Sequence, residues 1–203
     1  LLGTEIMKPI CTKESEKADF TNEGGYEYRF RYLKNIMGLW MIQSVRHETG
    51  DAYSFAQLCD LAEENRDFPS RVSVNDQCFM APNNMTEEIK DYCRRTGQKV
   101  PETIGEISAV IYQSLAECYA EMFNMVEELT GNHFEAVNIV GGGSNADYLN
   151  RLTKEKSGRT IYAGPGEATA IGNIAAQMIE AGELTGLAEA RKCIFDSFGV
   201  KEY

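Results

Sequence analysis

Between Val137 and Leu152 the chain reads VNIVGGGSNADYLNRL: an apolar run, three glycines, then a helical pattern. RTIYAG followed by GEATAIGNIAAQMIEAG repeats the order a few residues later. Two strand–turn–helix units in succession imply neighbouring parallel strands joined by right-handed crossovers, which places the chain in the α/β class. A strand that ends in bare backbone and feeds a helix also brings main chain close to a ligand, and phosphates are common guests of such turns.

Four chemistries compete for the glycine turn. A P-loop requires Gly-Lys-Ser/Thr to finish its cradle, and none is present. Gly141, Gly143 and Ala146 fit the dinucleotide pattern G-x-G-x-x-A, but the acid that should hold a ribose about 20 residues onward is missing. There the strand ends in Ala163, Gly164 and Pro165, and the first acid is Glu167. A nucleophile elbow around Ser144 fails because Ala146 fills its last glycine place and no histidine follows. What stays open is a tight turn whose glycines only permit packing, or a ligand-binding turn. Ser144 and Asp147 are spaced to cap the next helix, which puts a carboxylate in its first turn. That charge would repel a transferring phosphoryl group, so a nucleotide here would present its nucleoside or α-phosphate.

Upstream, GGYEYRFRYLKN alternates Tyr26, Tyr28, Phe30 and Tyr32 against Glu27, Arg29 and Arg31, the period of a half-buried strand. IMGLWMIQSVRHE and SFAQLCDLAEE then read as helices, and RVSVNDQCFMAPNNM as a short strand and loop. Asn84 with Glu87, and Thr103 with Glu106, have capping-box spacing, while Gly97 and Gly131 stand at the corresponding helix ends. The longer helix carries an apolar stripe of Ile104, Ile107, Ile111, Leu115, Cys118, Met122, Val126 and Leu129. Ala168, Gly172 and Ala176 predict close packing of the helix after the second strand.

A chain of 203 residues buries roughly 70% of its extended surface on folding, so neither metal nor disulfide is needed to hold it. With 31 acidic against 20 basic residues, a net charge of -11 disfavours nucleic acid and anionic membrane as partners. Cys11, Cys59, Cys78, Cys93, Cys118 and Cys193 are scattered without C-x-x-C spacing, and only His47 and His133 could join them at a metal. Reduced thiols in a cytoplasmic setting are therefore expected. The longest apolar stretch, IMGLWMI, is far short of a membrane span. LLGTEIMKPIC has no basic stretch of a signal peptide and no initiator methionine, so the chain is expected to be part of something longer.

FTNEGGYEYRFRYLKNIMGLW, NIVGGGSNADYLNRL and YAGPGEATAIGNIAAQ together resemble the FGGY carbohydrate kinase family, in its order and spacing and along essentially the whole chain. The TNEGG…LKNIMGLW block is most similar to those members that act on L-rhamnulose. The resemblance implies the carboxy-terminal, nucleotide-side domain of a two-domain enzyme, with an RNase H-like (actin-like) fold. It implies a mixed sheet with helices on both faces, further helices, and a helical insertion around 50–100. The amino-terminal, sugar-binding domain would lie outside this chain. ATP with Mg²⁺ would occupy the cleft, and phosphoryl transfer to L-rhamnulose would give L-rhamnulose 1-phosphate. Asn35 would contact the sugar and Gln43 would lie by the nucleotide. Gly142, between Gly141 and Gly143, would lie against ATP.

Two departures limit the transfer of roles. Ala146 stands where family members commonly have Asn, with Asn145 before it, so no contact is assigned to Asn145. The family's catalytic aspartate and Gly-Thr phosphate turn would precede Leu1, so no catalytic residue and no metal ligand is expected within 1–203. The piece by itself is expected to be inactive. A kinase for xylulose or fuculose, and a non-catalytic actin-like nucleotide-binding domain, are the alternatives left open.

Overall fold

The computed structural model describes residues 1–203, and the backbone divides into two compact units, Leu1–Phe134 and Glu135–Tyr203. The first runs β1 (Leu2–Ile6), α1 (Lys13–Lys17), β2 (Thr21–Gly24), β3 (Phe30–Lys34), α2 (Trp40–Glu48), α3 (Phe55–Glu64), α4 (Met85–Arg95) and α5 (Ile104–Thr130). The second runs β4 (Ala136–Ile139), α6 (Asp147–Ser157), β5 (Thr160–Ala163), α7 (Ala168–Glu180), α8 (Leu187–Ser197) and β6 (Lys201–Glu202). The α/β class holds, with the strands shared between two three-stranded sheets, β1-β3-β2 and β4-β5-β6.

The first unit is organised on α5. Thr103 and Glu106 form the reciprocal capping box that their spacing predicts, and Gly131, at φ 68°, ends the helix in the left-handed region. Ile107, Ile111, Leu115, Cys118, Met122 and Val126 of the predicted stripe are buried. Burial also runs round the helix to Ala109, Val110, Tyr112 and Ala116, so α5 is a core helix rather than a one-sided surface helix. Each large apolar side chain so enclosed stabilises the fold by about 1.5–3 kcal/mol. Close approach of α3 depends on Gly105, where an added Cβ would stand 2.4 Å from the Asn65 amide nitrogen.

β3 is the centre of an antiparallel sheet, with Tyr32 opposite both Thr4 and Asn22. The buried Tyr32 ring stacks on Phe20 at 4.8 Å, and its hydroxyl donates to Ser15 Oγ at 2.7 Å, satisfying a buried polar pair. Val126 of α5 completes this cluster.

The aromatic alternation is shorter than the sequence suggests. Gly25 N–H donates to Arg29 O at 2.7 Å, closing a 3-10 turn over Tyr26–Tyr28 between β2 and β3. Tyr28 is consequently 97% exposed, and only Phe30 and Tyr32 of the row belong to a strand. The strand expected in RVSVNDQCFM is also absent. Its backbone donors are taken by side chains instead: Arg71 N–H by Gln98, Val72 N–H by Ser114 and Ser73 N–H by Tyr92. Asn84 caps α4 through the Glu87 N–H. Glu48 at the end of α2 accepts from the next two donors, Met85 and Thr86, a contribution that spacing within α4 does not reveal.

In the second unit β4 and β5 are parallel, Val137 opposite Ile161, as the repeated strand–helix order requires. α6 crosses between them and buries Tyr148, Leu149 and Leu152, and Gly158 ends it at φ 67°. β6 lies antiparallel to β5. No residue of α7 is buried, and an added Cβ at Gly172 meets nothing within 4 Å. The close packing expected at Gly172 is therefore not present within this unit, whereas Ala168 and Ala176 are half-buried. No helix of the chain is long and apolar enough to cross a membrane.

Candidate functional site

The turns after the two parallel strands are tied together by backbone. Gly164 N–H donates to Ile139 O at 2.9 Å, and Gly141 N–H donates to Pro165 O at 3.0 Å. Residues Gly141–Asn145 wind into one stretch of 3-10 helix. Gly141 adopts φ 72°, which a side chain would strain. Gly143 is half-buried, and an added Cβ would touch Ile139 at an ordinary 3.5 Å. Gly142 differs from both: it is exposed, outside the left-handed region, and no heavy atom lies within 4 Å of where its Cβ would be. The bare backbone at Gly142 therefore answers to no internal packing demand. It leaves an open approach to the main chain at the end of β4.

Beside this opening lies a cavity of about 280 Å³, whose wall begins at Ser144, one residue after the three glycines. Asn145, Asp147, residues 163–166, Phe198, Gly199, Lys201 and Tyr203 complete it. Asn145, to which the sequence assigns no contact, is thus part of the lining.

The expected cap by Ser144 is not formed. Its hydroxyl turns back to donate to Gly141 O at 2.7 Å, stiffening the glycine turn, and Ala146 stands at the N-cap of α6 without a side-chain cap. The Asp147 carboxylate does sit in the first turn, as its position requires, but it is not bare. Lys201 Nζ and the Tyr203 hydroxyl both donate to its Oδ1, at 2.9 and 2.8 Å, and Arg151 Nε to its Oδ2 at 3.2 Å. The Lys201 bond first, then that of Tyr203, holds the Asp147 carboxyl below the usual carboxylate range. Burial pushes the Tyr203 phenol up, so it remains a donor at neutral pH. β6 fixes both partners by its backbone: Lys201 pairs with Ala163, and Tyr203 N–H donates to Ile161 O at 2.9 Å.

Asn35 and Gln43 belong to the first unit, where both side chains are exposed. Asn35 does not cap the following helix, which starts only at Trp40 with no side-chain cap. Instead, the loop between β3 and α2 is gripped at Met37. Asn75 Oδ1 accepts its N–H at 2.8 Å, and the Tyr119 hydroxyl donates to its carbonyl at 3.4 Å. Asn75 is itself held, donating to Cys118 on α5. These two grips explain why helix formation is delayed beyond Ile36, where the sequence pattern would begin it. Nothing in the local sequence signals them, because the partners are 38 and 82 residues from Met37.

The residues present do not fit a resident metal: no three His, Cys, Asp or Glu side chains are grouped to hold one. Divalent cations such as Mg²⁺ need several oxygen ligands in octahedral array, and the one acid lining the cavity is already engaged by cations and a phenol.

Comparison with known proteins bears on what kind of site this is. Residues 3–181 match the model of the FGGY family of carbohydrate kinases, C-terminal domain. Curated relatives named rhamnulokinase align with the entire chain. Those of Halalkalibacterium halodurans and Ligilactobacillus salivarius are 46% and 48% identical, and that of Bacillus subtilis 42%. The chain spans 43%, 42% and 42% of their respective lengths.

Proposed function

The chain belongs to the FGGY family of carbohydrate kinases, matching its C-terminal domain, and from that premise we propose that it forms the nucleotide-side wall of an ATP-dependent L-rhamnulose kinase. The single observation that carries the nucleotide assignment is Gly142, exposed bare backbone at a strand's end with open space where a side chain would be. The sugar assignment rests on the identity to proteins named rhamnulokinase over the full chain.

In this reading the L-rhamnulose 1-hydroxyl oxygen attacks the γ-phosphorus of ATP. The new O–P bond forms as the bond to the β,γ-bridging oxygen breaks, ADP leaves, and the hydroxyl proton passes to a base. Such transfer depends on positioning and charge neutralisation across a closed cleft. Gly141, Gly142 and Gly143 admit the nucleoside or α-phosphate against the main chain, and Gln43 lies by the nucleotide. Asn35 hydrogen-bonds the sugar. Mg²⁺ would enter as a counterion of the phosphates, with no ligand assigned to it in this chain. The base and the second phosphate turn belong to the portion that precedes Leu1, and the amino-terminal domain supplies most of the sugar site. The enzyme serves L-rhamnose catabolism in the cytoplasm, where its free thiols stay reduced.

The test is a ketose panel on the full-length kinase. L-Rhamnulose should give the highest kcat/KM with ATP, and residues 1–203 alone should give no turnover. Preference for xylulose or fuculose would transfer the assignment to another ketose, and turnover by residues 1–203 alone would refute the division of labour.

A further inference from the structure

Asp147 presents a difficulty for any anionic ligand at the glycine turn, since its carboxylate lines the adjoining cavity. Three groups surround it, and two of them, Lys201 and Tyr203, come from the far end of the unit and meet on one oxygen. The ion pair within this cluster is a weak stability device. The side chains of Asp147 and Lys201 are 50% and 67% exposed, and exposed pairs of this kind contribute little to folding. Yet β6 delivers them by ladder hydrogen bonds to β5, so their placement is fixed by backbone rather than by chance side-chain encounter.

We infer that Lys201 and Tyr203 are positioning residues for the nucleotide site: Lys201 offsets the charge of Asp147 and the Tyr203 hydroxyl occupies the same oxygen, so that the glycine turn accepts a ligand carrying several negative charges. The inference rests on the reading that the turn receives a nucleotide. It assigns β6 a function, since without this strand the Asp147 carboxylate would face the phosphates with Arg151 as its cationic partner. It also predicts a signature that a merely structural role lacks, because the effect must scale with ligand charge.

Lys201→Met in the full-length enzyme should leave adenosine binding unchanged and weaken AMP slightly. ATP should weaken about three- to tenfold, the size of an unscreened charge acting across several ångströms of partly hydrated protein. The gap should widen at low ionic strength. Asp147→Asn in the Lys201→Met background should restore ATP affinity fully, whereas loss of a direct Lys201–phosphate contact would leave the double variant weaker than the parent. Equal losses for adenosine and ATP, a flat nucleotide series, or no recovery in the double variant would each overturn the inference. The underlying reading is tested separately by Gly142→Val. If that variant leaves ATP affinity intact, the turn is not the nucleotide site. If it weakens ATP while the Lys201 series is flat, only the role of β6 falls.

Discussion

Gly142→Val separates ligand exclusion from damage to the fold, and the structure fixes both magnitudes. The backbone at Gly142 lies outside the left-handed region, and an added Cβ meets no heavy atom within 4 Å. Valine therefore meets neither backbone strain nor an internal clash, and the change in folding stability should stay within about 0.5 kcal/mol, as for ordinary surface substitutions. A nucleotide seated on this backbone would meet the new side chain directly. Forcing a branched side chain into an occupied contact costs about 1–3 kcal/mol, which lowers ATP affinity by roughly 5- to 150-fold. Gly141→Ala is the contrasting control. At φ 72° a Cβ is strained, and about 1–2 kcal/mol of stability should be lost. The assay is thermal unfolding of the full-length enzyme with and without ATP, together with direct ATP titration. Gly142→Val should melt like the parent when empty and lose most of the ATP-induced shift, since ligand stabilisation follows occupancy. An unchanged ATP affinity, or a clearly lower melting temperature without ligand, would refute the reasoning.

Three further variants probe other parts of the molecule. Asn35→Ala should raise KM for the ketose up to roughly tenfold, the worth of one hydrogen bond, with little change for ATP. Asn75→Ala, which removes the grip on Met37, should produce a milder version of the same defect; steady-state kinetics with each substrate varied in turn decide this, and a defect confined to ATP would refute both. Glu106 caps α5, and the N–H of Glu102, followed by that of Thr103, holds its carboxyl below the usual range. A depressed folded value means that its stabilisation is complete above the unfolded value, about 4.3, and fades as pH falls through the folded one. Glu106→Gln should accordingly lower the melting temperature at pH 7, and the gap should narrow as pH falls below the unfolded value; a gap that stays constant into acid would refute the ionic contribution.

How far the sequence could be read depended on the range of each interaction. The α5 boundaries were legible because Thr103, Glu106 and Gly131 act within one turn of their own backbone. Parallel pairing of β4 and β5 was legible because strand–helix order restricts the possible connections. The aromatic row misled at Tyr26 and Tyr28 because a period of two persists in the letters even where the chain spends those residues on a turn. The supposed strand near Val72 failed because Ser114 and Gln98, distant in sequence, took its backbone donors. The apolar, small-residue character of α7 correctly gives a helix, yet helical spacing alone does not say whether a face has a neighbour.

For the candidate site the same division holds. The sequence alone determined that bare backbone stands at the end of an apolar strand and that a carboxylate opens the next helix, because both are consecutive positions on one chain. Only the tertiary structure decided that Ser144 turns back on Gly141, that a cavity adjoins the turn, and that Lys201 and Tyr203 meet on Asp147 from 54 and 56 residues away. Charge neutralisation requires atoms within about 3–4 Å, and no local pattern can encode a distance that exists only after β6 has joined β5.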